Sequence, residues 1–367
     1  MSASHDSTSP ATGPRILFFT GGSGLRGLCG HLVRRTHRSV HLVTPFDSGG
    51  SSAVLREALG MPAVGDLRNR LLALSDPTSS GEAALCDLLG HRLEADASSD
   101  ALRRELAALV APAPAAVRGL MDTLLGAVPG DFDLRHASVG NLVLAGAWLE
   151  EDRHLGRAVE RVEALLPVRG VVRPVTEAVR HLAARMDDGS VVSGQHRITQ
   201  GEWNGRARVD ALFLTEALDD PRPAPAPADP AAVALIAGAD LICYPVGSFL
   251  TSLLAALLPE GIAGAVAHAR VPKVYVPNPP GDPEEGGLTV TDRVRALAET
   301  LASRGAPPGG TVLDAVLLDE GAPSSQRAEL EAMGLRVVSA ALRPSGRPTR
   351  YDDRALADAL LALPMAP

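Results

Sequence analysis

Three glycines, Gly22, Gly24 and Gly27, stand in the order GxGxxG directly after the apolar run 15–20. With Gly21 before them and Ser23 among them, they make a loop whose backbone can turn tightly and approach an anion. A helix that follows such a loop presents free N–H groups and a partial positive charge. Asp47 lies about 20 residues beyond Gly27, the separation at which dinucleotide-binding folds place an acid for the ribose. It opens a second loop of the same kind, Asp47-Ser48-Gly49-Gly50-Ser51-Ser52. Farther on, Asp66, Arg68 and Asn69 fall within one turn. Two acids on separate loops, Asp47 and Asp66, suit a hydrated Mg2+ that bridges phosphate oxygens. Arg68 carries the fork that grips a phosphate. Each feature also has a plainer reading: a packing turn for the glycines, a helix N-cap for Asp66, a surface residue for Arg68. The first loop and Asp47 alone favour an NAD-type dehydrogenase. The second loop and the turn at Asp66 move the reading towards a diphosphate ligand held with a metal.

These residues need a scaffold, and the surrounding pattern supplies it. Residues 15–20 and 39–44 read as buried strands, with Leu25, Leu28, Leu32 and Val33 at helical spacing between them. Strand, glycine loop, helix, strand is the grammar of a parallel sheet. Residues 77–128 and 141–165 read as helical. Residues 168–214 are rich in β-branched side chains, with Asp188-Gly189 as a hairpin turn. Residues 221–230 (PRPAPAPADP) read as a proline-rich linker or lid hinge in extended form. The α/β rhythm resumes over 234–244, with strands at 273–276, 311–318 and 335–339 and a closing amphipathic helix over 351–363. The expected organisation is a flexible tail (1–14), a first half of the core (15–165), a β-rich insertion (166–220), the linker (221–230) and a second half (231–367). The expected fold class is α/β: a Rossmann-like parallel sheet flanked by helices, with a small β-rich insertion.

Composition narrows the partners. The net charge is −8, aromatics are 3% of the chain, and Lys273 is its one lysine. Without a basic face or aromatic platforms, a nucleic-acid partner is not expected. Cys29, Cys86 and Cys243 are far apart and form no zinc or disulfide pattern. The most apolar stretch, 231–258, is broken by Asp240 and Pro245, so it reads as a buried strand and helix rather than a membrane span. The first fourteen residues lack the regions of a signal peptide, and the expected location is the cytoplasm.

Several segments occur in one order: FFTGGSGLRGL, DSGGSSAVLREALGMPAVGDLRNRLLALSD, HASVGNLVLAG, LLPVRGVVRPVTEA, ADLICYPVGSFLTSLLAALLPEGIAGAV and KVYVPN. They resemble the CofD/YvcK family of 2-phospho-L-lactate transferases and YvcK-type relatives, over nearly the whole chain. The resemblance implies a Rossmann-like core that binds a nucleoside diphosphate conjugate, GDP- or UDP-linked. Its transferase members move a phospholactyl-type group to an acceptor hydroxyl with Mg2+. Its YvcK-type members are nucleotide-sugar-binding regulators. Carried onto this chain, it assigns Gly21, Gly22, Ser23 and Gly24 to the first loop and Asp47 and Asp66 to metal or acceptor. It adds His136, Ser138, Gly140 and Asn141 as a third element. Gly247 and Ser248, with Thr251 and Ser252 on the next helix, become the diphosphate loop, and Asn278 ends the following strand. His136 reads as a general acid, a donor to phosphate or a helix-start residue; Asn141 as a ribose or base contact or a cap. Three departures stand out. Ser48 replaces a second aspartate, Pro245-Val246 precedes Gly247 where the pattern has Gly-Pro, and Ala137 separates His136 from Ser138. These place the chain in a diverged branch, such as the CofD-like proteins of GAK systems. The first functional reading is Mg2+-assisted transfer from a nucleoside diphosphate carrier; the alternative is a regulator without turnover. A homodimer is compatible with either.

Overall fold

Alternation along the first strand sets up the molecule. In β1 (Ile16–Thr20) every residue is buried, and successive side chains enter opposite cores. Ile16 and Phe18 join one core and Leu17 and Phe19 the other. A strand covered on both faces belongs inside a parallel sheet. The computed structural model describes residues 9–22, 24–201, 208–285, 287–344 and 349–365.

The chain continues through α1 (Arg26–Leu32), β2 (Val40–Val43), α2 (Gly50–Leu59) and α3 (Gly65–Ala73). A helical block follows: α4 (Ser80–Gly90), α5 (Ser99–Val110), α6 (Ala115–Ala127), α7 (Val139–Glu150) and α8 (Leu155–Glu163). Then come β3 (Val171–Pro174), β4 (His181–Met186), β5 (Val191–Ser193), α9 (Gln195–Thr199) and β6 (Val209–Thr215). The second half holds α10 (Pro230–Ala237), β7 (Leu241–Tyr244), a π-helix (Phe249–Leu254), α11 (Ile262–His268) and β8 (Lys273–Tyr275). It closes with α12 (Val290–Ser303), β9 (Ala315–Asp319), α13 (Ser324–Ala332), β10 (Arg336–Ala340) and α14 (Asp353–Leu361).

Seven strands form one sheet in the order β10-β9-β8-β7-β1-β2-β3, and every pairing in it is parallel. β4, β5 and β6 form a separate antiparallel sheet with β4 in the middle. The expected fold class is the one observed. The chain winds outward from β1 to β3, then returns to the other side of β1 and winds outward to β10. The order therefore reverses between β1 and β7, and the crevice beyond the carboxyl ends of these two strands is where open α/β sheets bind ligands.

Three details differ from the sequence reading. The segment 166–220 divides: β3 pairs with β2 in the main sheet, Val40 opposite Val171, and only β4 to β6 form the small sheet. β-Branched runs look alike in both settings, and only long-range pairing separates them. The proline-rich stretch is fastened along its length rather than free. Ala224 N donates to Leu214 O, Ala228 N to Glu260 O and Glu260 N to Ala226 O. The segment from 234 begins as helix, because Asp229 caps α10 at the Ala231 amide (2.8 Å) and Pro230 takes its first turn. The strand starts only at Leu241. No helix among the described residues is long and apolar enough to cross a membrane.

The helical block packs through α7, whose residues from Val139 to Trp148 are buried all round. Close approach to α6 is allowed by Gly146, where an added Cβ would stand 1.9 Å from the Leu120 carbonyl oxygen. Gly146→Ala should therefore lose about 2 kcal/mol by overpacking, although alanine alone would gain about 1 kcal/mol in helix propensity. Urea unfolding measures the balance, and a stabilised variant would show that the two helices do not meet there.

Candidate functional site

The carboxyl end of β1 is held by Arg70. This side chain is 0% exposed, and its guanidinium donates to Thr20 Oγ1 (2.8 Å), Gly21 O (2.7 Å) and Cys29 Sγ (3.0 Å). A buried charge is tolerated only when it is well bonded and compensated, and the compensating carboxylate is Asp66, one turn earlier on α3. The first glycine loop is thus pinned at its carbonyl side, and it is crowded on the other. A Cβ on Gly21 would lie 2.3 Å from Ser252 Oγ, and one on Gly22 would lie 2.4 Å from Asp66 Oδ1 and 2.9 Å from Asn69 Nδ2. A Cβ on Gly24 would lie 2.9 Å from the Gly247 Cα. Gly247 itself has φ of 136°, a conformation suited to glycine. The loops after β1 and β7 therefore meet backbone to backbone at the strand reversal.

Asp47 and Asp66 face the same region from β2 and α3. Asp47 Oδ1 accepts from the Gly49 amide (3.0 Å), and a Cβ on Gly65 would stand 3.0 Å from Asp47 Oδ2. Asp66 accepts from the Gly22 amide, yet burial and the nearby Asp47 charge push its carboxyl up to about 7. Arg56, buried on α2, donates to Asp47 O (3.3 Å) and Arg180 O (2.8 Å), tying this loop to the small sheet. Helices α1, α2, α3 and α7 all start here, and none has a side-chain cap. Among the other helices α4, α5, α8, α10, α12 and α14 each have one, and α6, α9, α11 and α13 have none. Uncapped helix starts leave donors and positive potential available to an anion.

The loop after β7 is arranged differently from expectation. The amides of Leu250 and Thr251 both donate to Glu284 Oε2 (3.0 Å each), and the Thr251 hydroxyl donates to Glu284 Oε1 (2.5 Å). An internal carboxylate thus fills the helix start that the sequence offered to a diphosphate, and Thr251 is hydrogen-bonded to Glu284. Asn278 is a brace: Oδ1 accepts from Gly247 N (2.8 Å), and Nδ2 donates to Gly247 O (2.7 Å) and Asp282 (2.5 Å). What stays open here is Gly247, Ser248 and Ser252, which line a cavity of about 50 Å³ with Gly21 and Gly24. Beside it lies a recess of about 340 Å³, lined by Gly24, Arg26, Gly247, Asn278, Arg350 and Tyr351.

The third element lies at the start of α7. Asn141 Nδ2 donates to Ser51 Oγ (2.9 Å), joining α7 to α2, while Asn141 Oδ1 and Ser138 Oγ are buried without a partner. Gly50, with φ of 49°, opens α2. His136 is exposed with φ of 56°, and its carbonyl accepts from Arg92 Nη1 (3.2 Å). Arg68 is buried against Gly140, where an added Cβ would meet its Cγ at 2.8 Å. Ser23 lies outside the described residues.

Sequence reasoning missed four residues. Arg70 shares the apolar stripe of Leu67, Leu71 and Leu74 on α3, a spacing that marks an inward-facing charge. Arg56 sits likewise beside Leu55 on the stripe ending at Leu59. Glu284 had no local signal. His196 binds Ser48, with Nδ1 2.8 Å from Ser48 Oγ and its amide donating to the same oxygen at 3.3 Å. The serine that replaces an aspartate thus docks α9 onto the Asp47 loop. The dehydrogenase reading also loses ground at Gly27, where an added Cβ would lie 1.9 Å from Asp353 Oδ2. The first turn of α1, where a dinucleotide would set its pyrophosphate, already faces a carboxylate.

The family described as 2-phospho-L-lactate transferase CofD matches residues 16–345. The gluconeogenesis factor of Bacillus subtilis is 32% identical over 343 residues, covering 89% of this chain and 90% of that protein. A putative gluconeogenesis factor of Nostoc sp. is 32% identical over 316 residues, covering 86% of this chain; the chain spans only 57% of that relative's length. Among solved structures, a UPF0052 family member from Bacillus halodurans has the same fold, with a TM-score of 0.70 at 23% identity over 96% of this chain and 99% of that one.

The raised Asp66 carboxyl has a consequence for stability. Folding makes this acid harder to ionise, so the folded state gives up stability as pH rises from the ordinary aspartate range of about 4 to about 7. Asp66→Asn should match wild type near pH 4 and unfold at higher temperature than wild type at pH 8. Thermal melts at the two pH values check this, and an equal or lower midpoint at pH 8 would place Asp66 in contact with a cation or solvent instead.

Proposed function

The chain belongs to the CofD family, and on that premise we propose that it binds a nucleoside diphosphate conjugate across the β1–β7 reversal and acts as a regulator of the gluconeogenesis-factor kind. The observation that carries this reading is the contact of Gly24 with Gly247. Side chains are excluded where two loops leave adjacent parallel strands, so backbone amides are what a ligand meets. The uncapped starts of α1, α2, α3 and α7 add positive potential on the same edge. The nucleoside end fits the 340 Å³ recess, where Arg350 and Tyr351 offer a cation and a ring face. The regulator reading is supported by the name of the Bacillus subtilis relative, which this chain matches over 90% of its length. It is also supported by the filling of the π-helix start by Glu284, which removes donors a departing phosphate would use.

A second reading, transfer of the phospho-linked group to an acceptor hydroxyl, is favoured by the Asp47–Asp66 pair. Two neighbouring carboxylates, with that of Asp66 pushed up to about 7 by burial and the Asp47 charge, suit a divalent cation that would let Asp66 ionise. Among the described residues no cluster of three or more His, Cys, Asp or Glu could cage a metal. Mg2+ commonly takes only one or two carboxylates, with phosphate and water completing its shell. Asp47 and Asp66 would hold it, and it would neutralise charge on the diphosphate. In this chain's own residues, Gly24 and Gly247 would orient the diphosphate and Ser252 would offer a hydroxyl to it.

One experiment separates the readings. Thermal shift with GDP, UDP-sugars and NAD, with and without Mg2+, should show stabilisation by one diphosphate class, about 2.7 kcal/mol at a hundredfold excess over Kd. The wild type should release no nucleoside monophosphate with deazaflavin, sugar or hydroxy-acid acceptors, and Asp47→Asn should shift affinity by roughly tenfold at most. If the wild type turns over and Asp47→Asn loses about a hundredfold or more in rate, transfer is the function. If no diphosphate stabilises the chain, the binding proposal falls.

A further inference from the structure

Beside the Asp47–Asp66 corner lies a group of arginines that the function above does not use. Arg68 is 5% exposed, its Nε is buried without a partner, and among the described residues its side chain makes no hydrogen bond or ion pair. Arg26 and Arg92 are close enough for their charges to oppose ionisation of Arg68. Arg26 likewise has no hydrogen bond or ion pair among the described residues. Arg92 donates to the His136 carbonyl, and its backbone bridges to Ser138. The stem of Arg68 crosses Gly140 in the first turn of α7, where an alanine Cβ would meet its Cγ at 2.8 Å and its Cδ at 2.9 Å. That helix has twelve residues and no side-chain cap, and the Ser138 hydroxyl at its start is buried without a partner.

Burial of the Arg68 cation beside the exposed cations of Arg92 and Arg26 is unfavourable, and a fold keeps it so only at a cost. Asp66 and Asp47 moderate that cost from a distance without bonding to Arg68. An oxyanion would remove it by accepting from the guanidinium forks and the Ser138 hydroxyl together, beside the start of α7, whose first amide is already spent on the His91 carbonyl (3.1 Å). Three cations around a helix start match a doubly charged phosphate better than a singly charged carboxylate.

We propose that Arg68, Arg92 and Arg26, with Ser138 and the start of α7, form a second phosphate subsite, separate from the Gly24–Gly247 seat. Arg26 also lines the 340 Å³ recess, so it joins the two seats into one positive track. The group it takes is a phosphate ester on the same ligand or on its acceptor. This deepens the reading above and rests on it only for the identity of the molecule that carries the phosphate.

Equilibrium dialysis of the full chain with labelled inorganic phosphate at fixed ionic strength tests the subsite by itself, with sulfate as competitor. Arg92→Gln, at an exposed position, should weaken phosphate binding about tenfold and Arg68→Met about a hundredfold, as expected for lost charge-assisted bonds. Gly24→Val, which blocks the diphosphate seat, should leave phosphate binding within about threefold of wild type while removing nucleoside diphosphate binding. Phosphate binding lost in Gly24→Val but unchanged in Arg92→Gln would overturn the subsite, as would no binding by wild type. If nucleoside diphosphates fail to bind but phosphate binding still depends on Arg92, the functional reading fails and the subsite stands.

Discussion

A fully buried guanidinium organises the functional edge of this protein. Arg70 reaches from α3 to the end of β1 and spends its donors on Thr20, the Gly21 carbonyl and Cys29. Removing a charge from water costs several kcal/mol, and these hydrogen bonds offset part of that cost. Arg70 fixes the Gly21 carbonyl away from the crevice. The loop then faces the other way, where the Gly22 amide donates to Asp66 and Gly24 meets Gly247. The same α3 carries Asp66, Arg68, Asn69 and Arg70. One short helix thus supplies the acid, the pin and the unpaired cation.

The helix starts around this edge follow a division of labour. Those of α1, α2, α3 and α7 have no side-chain cap, whereas α4 and α12 begin with full capping boxes. Leaving a helix start uncapped costs roughly 1 kcal/mol each. Four such starts gathered at one edge produce a field suited to anions, partly balanced by Asp47 and Asp66. The π-helix start, next to the reversal, is the exception, because Glu284 fills it from outside the helix. Glu284 also accepts from Thr199 on α9 (2.9 Å), while His196 at the other end of α9 binds Ser48. The small sheet is therefore fastened to both halves of the crevice, through Ser48 on the β2 side and Glu284 on the β7 side.

Much of this was legible in the residues. Short apolar runs followed by glycine loops gave the parallel sheet, and Gly24, Asp47, Asp66 and Gly247 were read as neighbours because each follows a strand or opens a helix. The readings that changed did so for identifiable reasons. β3 was assigned to the insertion because its Val171-Val172 pair looks the same in either sheet. Thr251 and Asn278 were read as ligand contacts because their types suit the task. Their partners, Glu284 and Gly247, are 33 and 31 residues away.

What the sequence determined by itself was local: strand and helix periods, the turns that only glycine makes readily, and the acids placed at the ends of elements. These depend on residues within a few positions of one another, so they are written in spacing. Tertiary structure alone decided which polar groups remain unpaired. A serine, a threonine or an arginine has the same donors wherever it stands, and whether they are free depends on what the fold brings opposite. Glu284 arrives and closes the π-helix start, whereas among the described residues no acceptor hydrogen-bonds the Arg68 guanidinium.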